Sequence, residues 1–279
     1  MQKKRVLILG ATGMLGHMVY RYFEQLGTYE LFNSVYRTPL NESSIVCNVK
    51  DQDALVSLFG RTRPDIVINC IGALVQESKE NPASAIYLNA LLPHVLRDLC
   101  NQFQAKLIHI STDCVFSGKK GAYTEDDFRD ADDVYGRSKA LGEIFKEPHC
   151  TLRTSIIGPE LKRSGTGLLH WFLLQSGEVK GYTNAFWGGV TTLELAKNIH
   201  KAIQNDLNGL FHVTNGTRVS KFDLLNKFLA FRSHTIKVLP FDGYVVDKSL
   251  VKSERFDFEV PDFNIMLEEL QPYVKEIYG

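Results

Sequence analysis

The sequence is short of several things, and each shortage excludes a class of protein. Nowhere in its 279 residues is there an apolar run long enough to span a bilayer, so no membrane protein is expected. Lysine and arginine total 32, as do aspartate and glutamate, leaving no charge excess to hold nucleic acid or an anionic membrane. The basic start of MQKKRVLILGATG resembles a signal peptide, but its apolar run stops at Gly10 and no small-residue cleavage site follows. It reads better as a first buried strand. The five cysteines (Cys47, Cys70, Cys100, Cys114 and Cys150) are odd in number, widely spaced and without a C-x-x-C pair. Most stand in apolar surroundings, as reduced thiols of a cytoplasmic protein would. The eight histidines show no ligand spacing, so no metal is expected. Internal repeats and low-complexity linkers are missing as well.

What is present is an alternation of short apolar runs with longer helical patterns, the mark of repeated βα units and a parallel sheet. Strands are expected at 5–9, 30–36, 43–47, 65–71, 106–111, 150–157 and 209–214, and helices at 14–26, 51–59, 82–103, 134–146, 190–205 and 219–231. Runs such as VLIL and IVINC are apolar on both faces, as strands covered on each side must be. From about Gly158 the alternation gives way to a stretch rich in glycine and aromatic residues, which reads as loops and a short helix lining a site. The fold class expected is α/β: a Rossmann-type, doubly wound parallel sheet with a smaller C-terminal substrate-binding lobe. The main domain would take residues 1–157 and about 190–231, with strand GLFHVT and helix VSKFDLLNKFLAF rejoining it. The lobe would take about 158–189 and 232–279.

The first strand runs directly into Gly10-Ala11-Thr12-Gly13-Met14-Leu15-Gly16, and a helix follows. Glycines at this spacing permit a tight turn and a close approach of backbone to a pyrophosphate at a helix N-terminus. The strand before and the amphipathic helix after supply the context that this mechanism requires. Near the end of the second strand an acidic residue would accept the adenosine ribose hydroxyls of NAD. Arg37 stands there instead, and its guanidinium suits a 2′-phosphate, so NADP(H) is expected.

Tyr135 and Lys139 are four apart in a helical segment and therefore share a face. A phenol is a poor acid or base at neutrality, and an adjacent ammonium is expected to lower its pKa. The fifth strand ends in Ser111-Thr112-Asp113, at the carboxyl edge where open α/β sheets bind ligands. A Thr112 hydroxyl there can hold a carbonyl oxygen while Tyr135 protonates it, or merely cap loose backbone groups.

Together the glycine turn, INCIGA, Asn89 in YLNALLP, HISTDCVFSG, VYGRSKALGE, LRTSIIG and GLFHVTNGTRVSKFDLLNKF resemble the extended short-chain dehydrogenases over most of residues 5–231. Within them the sequence is most similar to the dTDP-4-dehydrorhamnose reductase group of nucleotide-sugar reductases. The resemblance implies catalysis by Thr112, Tyr135 and Lys139. It implies a cofactor, NADPH/NADP+, held by Gly10, Thr12, Gly13, Met14, Leu15, Gly16, Arg37, Asn48, Val49, Cys70, Ile71, Gly72 and Asn89 besides Tyr135 and Lys139, with Asn69 at the cofactor-side strand end. The implied reaction is reduction of a nucleotide-activated sugar at a ketone on carbon 4. Asp113, Glu125, Arg153 and Trp187 are the expected substrate contacts. By the same analogy a homodimer would pair through helices 82–103 and 134–146.

Three departures qualify the likeness. Asn48 replaces an aspartate associated with the adenine, Ile156 replaces a tryptophan near the sugar, and Cys114 replaces the tyrosine after Ser-Thr-Asp. The loss of that tryptophan, together with NAFWGGVTTLELAK, points away from dTDP-4-dehydrorhamnose and toward a UDP-linked 4-keto-6-deoxy-N-acetylhexosamine. An epimerase or dehydratase on the same fold and a non-catalytic dinucleotide-binding subunit are the rivals. Cys114 with His170 is a candidate acid–base pair for epimerisation. The six acidic residues of loop 123–133 read as a solvated loop.

Overall fold

The alternation of side chains along strand β1, Arg5–Leu9, sets the layering of the whole molecule. Val6 and Ile8 enter one buried layer, and Leu7 and Leu9 enter the other. β4 (Ile66–Asn69) repeats the pattern, with Ile66 and Ile68 on the first side and Val67 on the second. In β5 (Lys106–Ser111) Ile108 and Leu107 divide in the same way. Strands of period two that are apolar on both faces need helices on both sides. In this computed structural model, which describes residues 3–232 and 236–279, they have them. Met1, Gln2 and residues 233–235, which the expected domain ranges include, lie outside the described residues.

The central sheet is parallel and seven-stranded. Its order is Gly209–His212, β6 (Cys150–Arg153), β5, β4, β1, β2 (Glu30–Val35) and β3 (Ile45–Val46). The direction of winding reverses between β1 and β4, so a crevice opens beyond their carboxyl ends. Helices α1 (Gly16–Leu26), Thr192–Gln204 and Phe263–Tyr278 cover one face. α2 (Gln52–Thr62) and Leu92–Gln102 cover the other. Oxygen caps start these helices where the sequence supplies them: Asp51 accepts from the Ala54 N–H, and Thr191 from that of Glu194.

Two expected elements are divided. The strand expected at 150–157 breaks after Arg153, and Ile156–Ile157 pairs instead with Val190–Thr191. The helix expected at 82–103 contains a π-helical segment, Ile86–Leu91, between Pro82–Ala85 and Leu92–Gln102. The helix expected at 134–146 ends at Leu141, and a Cβ on the next residue, Gly142, would stand 1.9 Å from the Asn89 carbonyl oxygen. Only glycine permits that contact between the π segment and the catalytic helix.

The smaller lobe pairs Gly177–Tyr182 with Ile236–Phe241 and sets Ala185–Trp187 between Val219–Ser220 and Val246–Asp247. Helix Lys221–Phe228 packs on these strands rather than on the central sheet, so the boundary expected near 231 falls before it. Conversely, Phe263–Tyr278, expected in the lobe, packs on Thr192–Gln204 and binds α1 through Arg21–Glu276. The amphipathic pattern identified both helices, but it does not say which sheet an apolar stripe will cover. Phe228 is fully buried between the rings of Phe172 and Phe231, at 5.8 and 6.1 Å. Phe228→Ala should cost about 3–5 kcal/mol in a denaturant titration; a loss under about 1 kcal/mol would show that this helix does not carry the lobe's core.

Candidate active site

At the end of β1 the chain reverses so tightly that the Gly10 and Ala11 N–H groups both donate to the Ser34 carbonyl, and Gly13 N–H donates to Gly10 O. Gly10 sits at φ +77°, and a Cβ on Gly16 would fall 2.1 Å from Gly10 O. The turn therefore brings the start of α1 against the strand end, with Thr12, Gly13 and Met14 part-exposed above it and Leu15 buried beneath. Arg37, just beyond β2, is exposed and lies over the Tyr36 ring. Asn48 is exposed beyond β3, whereas Val49 is buried and its carbonyl accepts from the Tyr87 hydroxyl. Cys70, Ile71 and Gly72 follow β4 on the other side of the crevice, with the Ile71 N–H on Asn69. Cys70 and Ile71 lie against the glycine turn at the crevice, within 3.3 and 2.9 Å of where a Cβ on Gly10 would stand. Asn89 does not face the crevice: the side chain is fully buried, accepts from Ala73 N–H and donates to Ala73 O and Ser138 Oγ. It braces the loop after β4 against the catalytic helix.

The catalytic helix, Val134–Leu141, begins at Asp133, whose carboxylate accepts from Gly136 N–H at 2.8 Å. Tyr135 stands half-buried in its first turn, and Lys139 is buried one turn later. Burial raises the phenol's pKa, reinforced by Cys114 and the nearby carboxylates, while a hydrogen bond with Thr112 lowers it. The expected depression by Lys139 is absent; the phenol stays protonated at neutrality. The Lys139 ammonium instead donates to the Ile110 carbonyl at 2.7 Å and is pushed down to about 8 by burial, against the pull of Glu143. The Thr112 hydroxyl accepts from Cys114 N–H at 3.1 Å and donates to Asp113 at 3.0 Å, so it caps a short turn as well as meeting Tyr135. Asp113 is buried, and burial raises its pKa.

Three expected substrate contacts are otherwise engaged. Arg153 is wholly buried and binds Glu143 through two nitrogens at 2.8 Å each, with a third on His212. Ser111 and Arg129 also reach Glu143, at 2.6 and 3.1 Å. An ion pair this deep leaves no guanidinium for a diphosphate. Glu125 accepts from His212 N–H and pairs with Arg255, fastening the acidic loop to the tail. Trp187 is buried against Phe263 and donates to Ser155. Nor are Cys114 and His170 an acid–base pair: burial pushes the thiol to about 12, and both imidazole nitrogens are engaged, by Tyr278 and Arg163.

Cationic and aromatic side chains gather on the lobe, in and beside the glycine- and aromatic-rich stretch expected to line a site. A cavity of about 190 Å³ is lined by Leu168, Trp171, Lys180, Tyr182, Lys221 and Leu225. Lys221 lies near enough to Asp113 to favour its ionised form. A larger cavity, about 390 Å³ and lined by Asp65, Lys106 and Asp206 among others, opens at the amino ends of the strands, away from this chemistry.

Residues 4–243 match the family model described as RmlD substrate binding domain. A methionine adenosyltransferase 2 subunit beta of Danio rerio is 26% identical over 242 residues, covering 79% of this chain and 72% of that protein. A dTDP-4-keto-6-deoxy-D-glucose reductase of Streptomyces niveus is 26% identical over 230 residues, covering 79% and 76%. The crystal structure of a Bacillus anthracis dTDP-4-dehydrorhamnose reductase in complex with NADP superposes with a TM-score of 0.83 at 21% identity, covering 98% of this chain and all of that one.

Burial of Lys139 makes a prediction about stability. Its folded pKa, about 8, lies below the ordinary 10.5, so between these values the unfolded chain holds a proton that the folded chain has released. Stability then rises with pH through that window. Relative to Lys139→Met, the wild type should gain on the order of 3 kcal/mol in unfolding free energy between about pH 8 and 10.5. A difference independent of pH would show that the ammonium is not desolvated.

Proposed function

The chain belongs to the RmlD substrate binding domain family, and from that premise we propose that it reduces the 4-keto group of a nucleotide-diphosphate-linked 4-keto-6-deoxy sugar with NADPH. The observation that carries this reading is the protonated Tyr135 beside Thr112, one helical turn from the buried Lys139, at the carboxyl edge of a sheet whose first turn is a glycine cradle. That cradle fits a dinucleotide: the backbone at Gly10–Gly16 leaves no room for a Cβ on Gly16, and the exposed Arg37 guanidinium suits a 2′-phosphate. NADPH, when bound, supplies the hydride.

The residues' part is to hold and move a proton. Thr112 holds the ketone oxygen, and the Tyr135 phenol, kept protonated by burial, gives its proton to that oxygen as negative charge develops. Lys139 places a cation beneath the site and, being close to Gly72, is also in reach of the cofactor's ribose side. The nucleotide end of the substrate lies along the lobe, where Trp171 and Tyr182 offer apolar faces and Lys180 and Lys221 offer cations to a diphosphate. The sugar is a UDP-linked N-acetylhexosamine or a dTDP-linked hexose. The first is favoured by NAFWGGVTTLELAK and by Ile156 in place of a tryptophan, the second by the activity of the Streptomyces niveus relative.

Epimerisation by Cys114 and His170 is disfavoured because burial keeps the thiol protonated and both imidazole nitrogens have partners. A non-catalytic subunit is the reading that the Danio rerio relative's name brings to mind; the retained Thr112, Tyr135 and Lys139 favour catalysis. We place the protein in the cytoplasm; among the described residues no helix is long and apolar enough to cross a membrane. Exposed Ile86, Leu91 and Leu141, on the helices expected to pair, favour a homodimer. Tyr135→Phe should lower kcat by about a hundredfold or more. A variant with full activity would overturn the catalytic assignment.

A further inference from the structure

Lys248 lies 134 positions beyond Cys114 in the chain, yet the fold delivers it to the catalytic edge. The segment around it is laced to the loop that leaves β5. Asp247 N–H donates to Gly118 O at 2.8 Å, Tyr123 N–H to Ser249 O at 2.8 Å, and Val251 N–H to Tyr123 O at 2.9 Å. Ala122 N–H donates to the Ser249 hydroxyl, and Tyr123 and Leu250 form an isolated parallel bridge. The stem of Lys248 crosses Gly118 closely: its Cγ is 3.0 Å from where a Cβ on that residue would stand. Its side chain thus lies against the loop that continues from Thr112, Asp113 and Cys114.

Two carboxylates of this region have their own partners. Asp247 pairs with Arg218, and Asp127 with Lys120. Among the described residues, no carboxylate lies within the 4.0 Å of an ion pair with Lys248. The ammonium is half-buried; burial disfavours its charge, but Cys114, Asp113 and Asp133 outweigh that effect and a hydrogen bond to Cys114 adds to them. A lysine held by a strap of backbone bonds, against the loop that follows Thr112 and without a short ion pair, retains donors for a bound molecule. The cations suited to a diphosphate, Lys180 and Lys221, border the outer cavity instead.

We infer that Lys248 is a specificity-determining residue whose ammonium binds an oxygen on the sugar ring beside the reacting carbonyl. The inference rests on the reductase reading for the identity of its ligand as a sugar nucleotide. A charge-assisted hydrogen bond of this kind corresponds to a tenfold or greater difference in affinity. It discriminates between sugars by whether an oxygen stands at that position.

Calorimetric titration with dTDP-glucose, dTDP, UDP-N-acetylglucosamine and UDP, in the presence of NADP+, tests this on the full chain. For at least one pair, Lys248→Met should weaken the sugar nucleotide at least tenfold and leave the bare nucleotide unchanged, and Lys248→Arg should recover part of the loss. Equal weakening of sugar nucleotide and bare nucleotide would assign Lys248 to the diphosphate and overturn the inference, as would no weakening at all. A wild-type thermal transition retained by Lys248→Met separates a lost contact from a lost fold. If the affinities follow the expected pattern but the wild type oxidises no NADPH with the 4-keto derivatives, the reductase reading fails and the sugar contact stands.

Discussion

The pairing of Arg153 with Glu143 is the interaction on which the catalytic edge depends. Both side chains are wholly buried, and neither charge has water to fall back on. Removing one partner from such a pair costs about 3–5 kcal/mol, because the other charge is left stranded. The pair therefore admits very few arrangements, and those few position much else. Glu143 follows the catalytic helix and takes the Ser111 hydroxyl, so it ties the helix carrying Tyr135 and Lys139 to the strand end carrying Thr112. Arg153 takes His212 on the outermost strand, and Arg129 reaches Glu143 from the acidic loop. Five segments, those of Ser111, Arg129, Glu143, Arg153 and His212, thus meet around one carboxylate and one guanidinium.

Within that frame the electrostatics of the site follow from depth. Burial moves the phenol of Tyr135 up and the ammonium of Lys139 down. The first change keeps the tyrosine protonated at neutrality. The second would release the lysine's proton too readily, but Glu143 pulls in the opposite sense and the Ile110 carbonyl accepts from the charged form. Asn89 completes the frame by bridging the loop after β4 to Ser138 on the same helix, through a π-helical segment that turns its side chain inward. Asn89 and Ser138 hold the loop after β4 to helix Val134–Leu141, while Ser111, Glu143 and Arg153 hold the strand ends to the segment that follows that helix.

Much of this was legible in the sequence. Alternating aliphatic residues identified every strand of the central sheet, and the glycine spacing with its flanking strand and helix located the turn. The four-residue spacing of Tyr135 and Lys139 placed them on one face. What the sequence did not show was whether a chemically suitable residue faces the crevice or the core. Arg153, Glu125 and Trp187 have side chains that a nucleotide sugar would use, but each has its partner inside the protein. Composition carries no sign of that, since burial of a charge depends on a partner many residues away. The same reason hid Lys180, Lys221 and Lys248: they reach the site only after the small lobe folds back over the strand ends. The misplaced boundary at helix Lys221–Phe228 has a related cause, since its apolar stripe fits either sheet and tertiary packing decides.

The central claim is that the edge between β1 and β5 delivers a hydride and a proton to the keto group of a nucleotide-linked sugar. The most direct test incubates the protein with NADPH deuterated at the transferable nicotinamide position and with UDP- and dTDP-linked 4-keto-6-deoxy sugars, then locates the label by mass spectrometry and NMR. The account predicts one deuterium on carbon 4 of one sugar for each NADPH consumed. An isomerised or dehydrated sugar formed with no net NADPH consumption would contradict it.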